Sequence, residues 1–125
     1  MGSYDAHKTA RPLSWFSSAG PTRDGRKKPE LSAPGHDVIA ASSRSKTGST
    51  RMSGTSMASP AVTGCVALLL AEARAQGGSL RCQEIRDIVI GTARRDPPSG
   101  TAWDDRYGAG RVSASGMLQQ LLDQG

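Results

Sequence analysis

The stretch from Met57 to Ala75 constrains this chain more than any other, because its only charges, Glu72 and Arg74, come at the far end. Ala, Val, Leu and Met dominate it, and this composition suits one long helix. Ser53, Thr55 and Ser56 offer N-cap hydroxyls just before it, and Pro60 is expected in its first turn, where a missing N–H costs nothing. Gln76-Gly77-Gly78 supplies the stop, with glycine where helices favour a C-terminal cap. A helix apolar on nearly every face is expected to be buried on nearly every face. Gly64 and the alanines at 58, 61, 67 and 71 would let other backbone come close.

The cover that this chain can offer is limited. Its 125 residues amount to one domain or part of one. With aromatics at 4%, the core must rest on Ala, Val, Ile and Leu. Residues 1–53 read as short, strand-like and rich in Ser, Gly and Pro. Glu30 to Ala33 ends at the turn signal Pro34-Gly35, Asp37 to Ser42 reads as a strand, and Ser43 to Thr50 as a hairpin loop returning through Arg51-Met52. After the long helix, Ser79 is the expected N-cap of a surface helix with Cys82, Ile85, Val89 and Thr92 on one face. Asp96 to Gly100 reads as a loop, Trp103 to Gly110 as irregular, and Val112 to Leu122 as a last helix with Leu118, Leu121 and Leu122 inward.

Several function classes lose support on composition. The longest uninterrupted apolar run, Cys65 to Ala71, is seven residues, against the roughly 20 of a membrane span, so no membrane helix is expected. Met1-Gly2-Ser3 leads into polar residues without the apolar core of an export signal, and the compartment stays undetermined. Net charge is +5, but the densest basic stretch, Arg23 to Lys28, is broken by Asp24-Gly25 and bracketed by Pro21 and Pro29. It reads as a solvated turn, and no nucleic-acid partner is expected. Cys65 and Cys82 match neither zinc nor disulfide spacing, and His7 and His36 are the only histidines, so no metal site is expected from them.

The stretch Gly54-Thr55-Ser56-Met57-Ala58-Ser59-Pro60 stands at the mouth of the long helix. A serine there sits among unpaired backbone N–H groups at the positive end of the helix dipole. Those donors can serve a cap, or they can bind the oxyanion formed when the serine attacks a carbonyl. Gly54 would let backbone approach a substrate closely. The residue types alone leave both readings open.

The same seven residues resemble the nucleophile motif of the subtilases, the subtilisin-like serine proteases of peptidase family S8. Ser17 to Gly35 (S-S-A-G-P-T-R-D-G-R-K-K-P-E-L-S-A-P-G) is similar to the segment preceding that motif, and Tyr107 to Val112 (Y-G-A-G-R-V) to the family's closing segment. They come in the family's order and span about residues 13–118. The resemblance implies an α/β fold: the C-terminal portion of a doubly wound parallel-sheet domain, with a long buried helix following the nucleophile serine. It sets residues 13–125 as an incomplete catalytic domain and leaves 1–12 as an unmatched N-terminal tail.

By that resemblance Ser56 is the catalytic nucleophile and its backbone N–H one oxyanion donor, with Gly54 and Thr55 near the substrate. The family's aspartate and histidine motifs lie upstream and do not occur here. Its second oxyanion donor is an asparagine, and this chain contains none. Asp5, His36 and Ser56 do fall in the order of a triad, but a rebuilt triad is not expected; His7 and His36 read as solvated surface groups, and Asp104-Asp105 as a solvated turn. The expected function is therefore the C-terminal segment of an endopeptidase acting on polypeptide once the missing N-terminal part supplies Asp, His and Asn. Alone the chain is expected to be inactive and, with its helix uncovered, prone to self-association. The alternative is a non-catalytic subtilase-like interaction module. No cofactor is expected; calcium is conceivable in a complete domain but cannot be placed on these residues.

Overall fold

A computed structural model describes residues 1–95 and 103–124. Its elements, in order, are β1 (Gly2–Tyr4), β2 (Ser32–Pro34), β3 (Val38–Ala41), β4 (Ser49–Met52), α1 (Thr55–Ala75), α2 (Cys82–Gly91) and α3 (Ala114–Asp123). The loop expected at Asp96 to Gly100 lies outside the described residues.

β1 and β2 run parallel, with Gly2, Ser3 and Tyr4 opposite Ser32, Ala33 and Pro34. Both outer edges of the pair are met by other backbone. The Ser14 N–H donates to the Ser3 carbonyl at 2.8 Å, and the Val112 N–H to the Ser32 carbonyl at 2.9 Å. Residues 1–12 are therefore not a loose tail: Gly2 to Asp5 are buried, and β1 lies in the middle of this small layer. The tail reading failed because a Gly-Ser-Tyr strand carries no β-branched residue and its register is dictated by its partner.

β3 and β4 form an antiparallel hairpin, Val38 opposite Met52 and Ala41 opposite Ser49, with nearly every residue exposed. The hairpin stands apart from the core. That core gathers Leu31, Leu69, Ala73, Ile88, Val89, Met117 and Leu121, with Val62, Cys65, Val66, Leu80, Ile85 and Val112 packed around it.

Helix α1 runs 21 residues and is buried along one stripe only, at Ala58, Leu69 and Ala73. Leu68 and Leu70, which flank that stripe on either side of Leu69, are 57% and 40% exposed. Burial on nearly every face is thus not achieved within this chain. The helix is also long and apolar enough to cross a membrane by length and composition, as a core helix can be. The expectation that no helix here could do so is corrected, because Ser, Thr and Gly interrupt the apolar run without charging it.

The ends of the helices follow local chemistry. Gly54 is the N-cap of α1, and no side chain caps it. Pro60 is the sixth helical residue, beyond the first turn where it was expected; lacking an N–H, it leaves the Ser56 carbonyl without its usual partner. At the far end the Gly78 N–H bonds the Ala73 carbonyl at 2.9 Å and the Gly77 N–H the Arg74 carbonyl at 3.0 Å, with Gly77 at φ 78°. This is the paired capping pattern that glycine permits.

Helix α2 begins after Arg81, whose N–H donates to Glu84 Oε2 at 2.7 Å, so Ser79 is not its cap. Its buried residues are Ile88 and Val89, with Ile85 packed against the core; of the face expected from the sequence Cys82 is exposed, and Ile88 joins that face. In α3 the inward residues are Met117 and Leu121, and Leu122 is 51% exposed. The Ser113 hydroxyl caps this helix by accepting the Gly116 N–H at 3.1 Å. Asp104 is more than a solvated turn residue: Oδ1 accepts the N–H groups of Arg106 and Tyr107 at 2.8 and 2.7 Å, and Oδ2 lies 3.3 Å from Arg95.

Candidate active site

Ser56 is the second residue of α1 and is exposed. Only two N–H groups of its first turn are occupied: Met57 and Ala58 both bond the Gly54 carbonyl, at 3.0 and 3.3 Å. Among the described residues no acceptor pairs with the N–H of Thr55 or Ser56, and no hydrogen bond reaches the Ser56 hydroxyl. The site therefore presents a bare hydroxyl beside open amide donors at a helix N-terminus, which suits developing negative charge.

Backbone geometry sets this arrangement. Gly54 adopts φ 158° and ψ 160°, a region that is glycine's almost alone. Its N–H donates to the Gly35 carbonyl at 2.8 Å, and the Gly35 N–H donates to the Tyr4 carbonyl at 3.3 Å. A Cβ on Gly35 would press on Ser3 Oγ and lie 2.6 Å from the Gly54 oxygen, so this contact demands glycine. Ser53, expected as a helix cap, turns instead to the loop before β3. Its Oγ accepts the Asp37 N–H at 2.8 Å and sits 3.4 Å from Asp37 Oδ1. Ala58, wholly buried, plants the first turn against the body of the molecule.

The structure gathers polar residues that the sequence left apart. Asp5 is 7% exposed, and its Oδ1 accepts the His7 N–H at 3.0 Å. His36 Nε2 lies 4.0 Å from Asp5 Oδ2 and 3.8 Å from Asp37 Oδ2, and Phe16 stacks on the His36 ring with centroids 6.3 Å apart. His36 is therefore no solvated surface group. It is placed by the β1–β2 register, which sets the residue after Tyr4 beside the loop after Pro34. Asp5, His7, Lys8, His36, Asp37 and Arg51 line an open cleft of about 410 Å³.

This cleft does not complete a triad. His36 Nδ1 is buried without a hydrogen-bond partner, and neither ring nitrogen bonds Ser56. Among the described residues no group of three or more His, Cys, Asp or Glu side chains is placed to hold a metal ion. The two cysteines stand away from this chemistry. Burial pushes the Cys65 thiol above its usual range, as expected of a packed thiol, and Cys82 is exposed.

Comparison with known proteins matches this chain to a family. The model of the subtilase family, Peptidase S8, matches residues 2–110. Pyrolysin of Pyrococcus furiosus is 46% identical over 117 residues, which cover 89% of this chain and 8% of pyrolysin. The serine protease AprX of Bacillus subtilis is 34% identical over 139 residues, covering 94% of this chain and 29% of that protein. Among solved structures, the CspB protease of Clostridium perfringens superimposes with a TM-score of 0.82 at 32% identity, covering 98% of this chain and 26% of that one. The chain thus spans less than a third of the length of each of these three proteins.

Proposed function

The chain belongs to the subtilase family of serine proteases, and on that premise we propose that Ser56 is the nucleophile of a peptide-bond hydrolase whose base and orienting acid come from polypeptide outside these residues. One observation carries the reading: the Ser56 hydroxyl stands without a partner beside open amide donors on the first turn of α1. A serine without a base at hydrogen-bond distance is a weak nucleophile. The upstream aspartate and histidine would orient and supply that base, and an upstream asparagine the second oxyanion donor.

In the assembled site the Ser56 oxygen attacks the scissile carbonyl carbon while the histidine takes its proton. The carbonyl oxygen becomes an oxyanion, which the Ser56 N–H meets. Collapse expels the amine, protonated by the same histidine, and leaves an ester on Ser56. Water, deprotonated by the histidine, attacks the ester and releases the acid, restoring the hydroxyl. Gly54 and Thr55 border the approach to the bond. The substrate is a polypeptide, and the pockets that read its side chains lie mainly outside these residues.

A second reading, an interaction module without catalysis, draws on the exposed Leu68 and Leu70 of α1. The coding sequence immediately upstream discriminates: Asp, His and Asn motifs in the same frame support the enzyme, and a start at Met1 with nothing before it supports the module. The biochemical test is intact mass after treatment with a serine-reactive fluorophosphonate, with Ser56→Ala as control. The 125-residue chain is expected to take no adduct, and the chain joined to its upstream part to take one on Ser56. A stoichiometric Ser56 adduct on the chain alone would overturn the need for outside groups. No adduct on the joined protein would overturn the nucleophile.

A further inference from the structure

The segment Gly35–Asp37 holds the residues just before Ser56 by two strong contacts, Gly54 N–H to the Gly35 carbonyl and Asp37 N–H to Ser53 Oγ, both 2.8 Å. Asp37 is the hinge of this clamp. Its φ is 49°, a left-handed conformation in a residue other than glycine, so its position depends on what surrounds it. Its carbonyl meets His7 Nε2 at 3.0 Å, its Oδ1 lies 3.4 Å from Ser53 Oγ, and its Oδ2 lies 3.8 Å from His36 Nε2. The carboxylate is thus shared between the nucleophile loop and one imidazole.

We propose that His36 is a positioning residue for the nucleophile loop, its protonation drawing Asp37 into the clamp that fixes Ser53 and Gly54. Protonated, the ring places one positive charge within 4.0 Å of both Asp5 and Asp37, which arrive from different segments. Both carboxylates face the same ring nitrogen, Nε2, so the two states differ there in charge rather than in the number of N–H groups, and with the neutral ring both acids lose an ion partner. The other charged groups of the cleft are Lys8 and His7 from the segment after β1 and Arg51 from β4. His7 touches Asp37 through the backbone carbonyl of Asp37 rather than through its carboxylate. Phe16 backs the ring and limits its escape. The proposal rests on the Ser56 reading for its catalytic meaning only, since the clamp can be observed without any reaction.

The experiment is a pH titration of the 125-residue chain by NMR, following the His36 and His7 ring signals with the amides of Ser53, Gly54 and Ser56. The loop amides are expected to move on one curve that shares the His36 midpoint. In Asp37→Asn the ring should still titrate while the loop amides lose most of their excursion. In His36→Gln they should lie flat across that range, and in His7→Gln they should still follow His36. Loop amides that stay still while His36 titrates, or that track His7, overturn the proposal. Should Asp37→Asn fail to fold, the wild-type and His7→Gln curves decide. The fluorophosphonate assay reads reactivity and this titration reads geometry, so either idea can fail alone.

Discussion

The two sides of α1 are made of the same kinds of residue and meet opposite fates. Leu69 is wholly buried in the cluster with Ile88, Met117 and Leu121, while its neighbours Leu68 and Leu70 face outward. A globular surface helix ordinarily pairs its apolar stripe with a polar back. Here the exposed residues include Leu68, Leu70, Ala67, Ala71 and Gly64 beside Ser59, Thr63 and Arg74, so much of the back is apolar as well. The contrast teaches that like residues on one helix are sorted by what the chain packs against them: Leu69 meets the core, and Leu68 and Leu70 do not.

That contrast can be broken most forcefully at the leucines. Leu69→Ala should cost about 2–5 kcal/mol in denaturant unfolding, by lost burial and the cavity it leaves. Leu68→Ala should change stability by no more than about 0.5 kcal/mol. Equal costs would show that the outer face is covered in solution, and sedimentation at rising concentration would then reveal the self-association that covers it.

The glycines sharpen the same comparison with a smaller effect. Gly35→Ala pushes a methyl group against Ser3 Oγ and the Gly54 oxygen, and should destabilise by about 1–3 kcal/mol. Gly64 lies on α1 with nothing within 4 Å of its would-be Cβ. Gly64→Ala should therefore stabilise this chain by about 0.5–1 kcal/mol through helix propensity. The informative result is its sign in a longer protein: a reversal there would mark Gly64 as a point of close backbone contact.

The smallest effect is electrostatic and belongs to the covered half. A hydrogen bond from Lys28, helped by the Arg86 charge, holds the Glu30 carboxyl below its usual range, against the opposing effect of burial. A folded-state value lowered in this way gives stability that is present above the ordinary carboxylate range and is lost as pH falls through the lowered value. Glu30→Gln should lower the neutral plateau of an unfolding curve slightly and flatten that part of the acid limb, the two curves converging once Glu30 is protonated. An acid limb that keeps its shape would mean the contact is screened out in water.

What was legible in the sequence was local. Although the hydroxyls before α1 do not cap it, the glycine pair after it and the hairpin between Val38 and Met52 each announce themselves within a few residues. The motif around Ser56 was readable for the same reason. What stayed hidden depends on partners far along the chain. Ser3 and Ser32 are fully buried polar residues in paired strands, and Ser3 Oγ is satisfied by Ser14 Oγ at 2.8 Å, an arrangement that reads as loop in one dimension. Once β1 was taken for a tail, Asp5 and His36 could not be seen to meet. Ile88 and Met117 were missed as core because the inward face of a short helix depends on where it docks as well as on its period.

One consequence follows from the hydrogen bonds that lead from Gly54 to Gly35 and from Gly35 to Tyr4. They make a two-link tether from the threshold of Ser56 to the first strand, so the chain carries its own surveyor's datum. The entry to α1 is thereby held in the frame of β1 by backbone alone, whatever the exposed side chains around it do. Lengthening the loop between β3 and β4, which the tether bypasses, would leave the datum where it is.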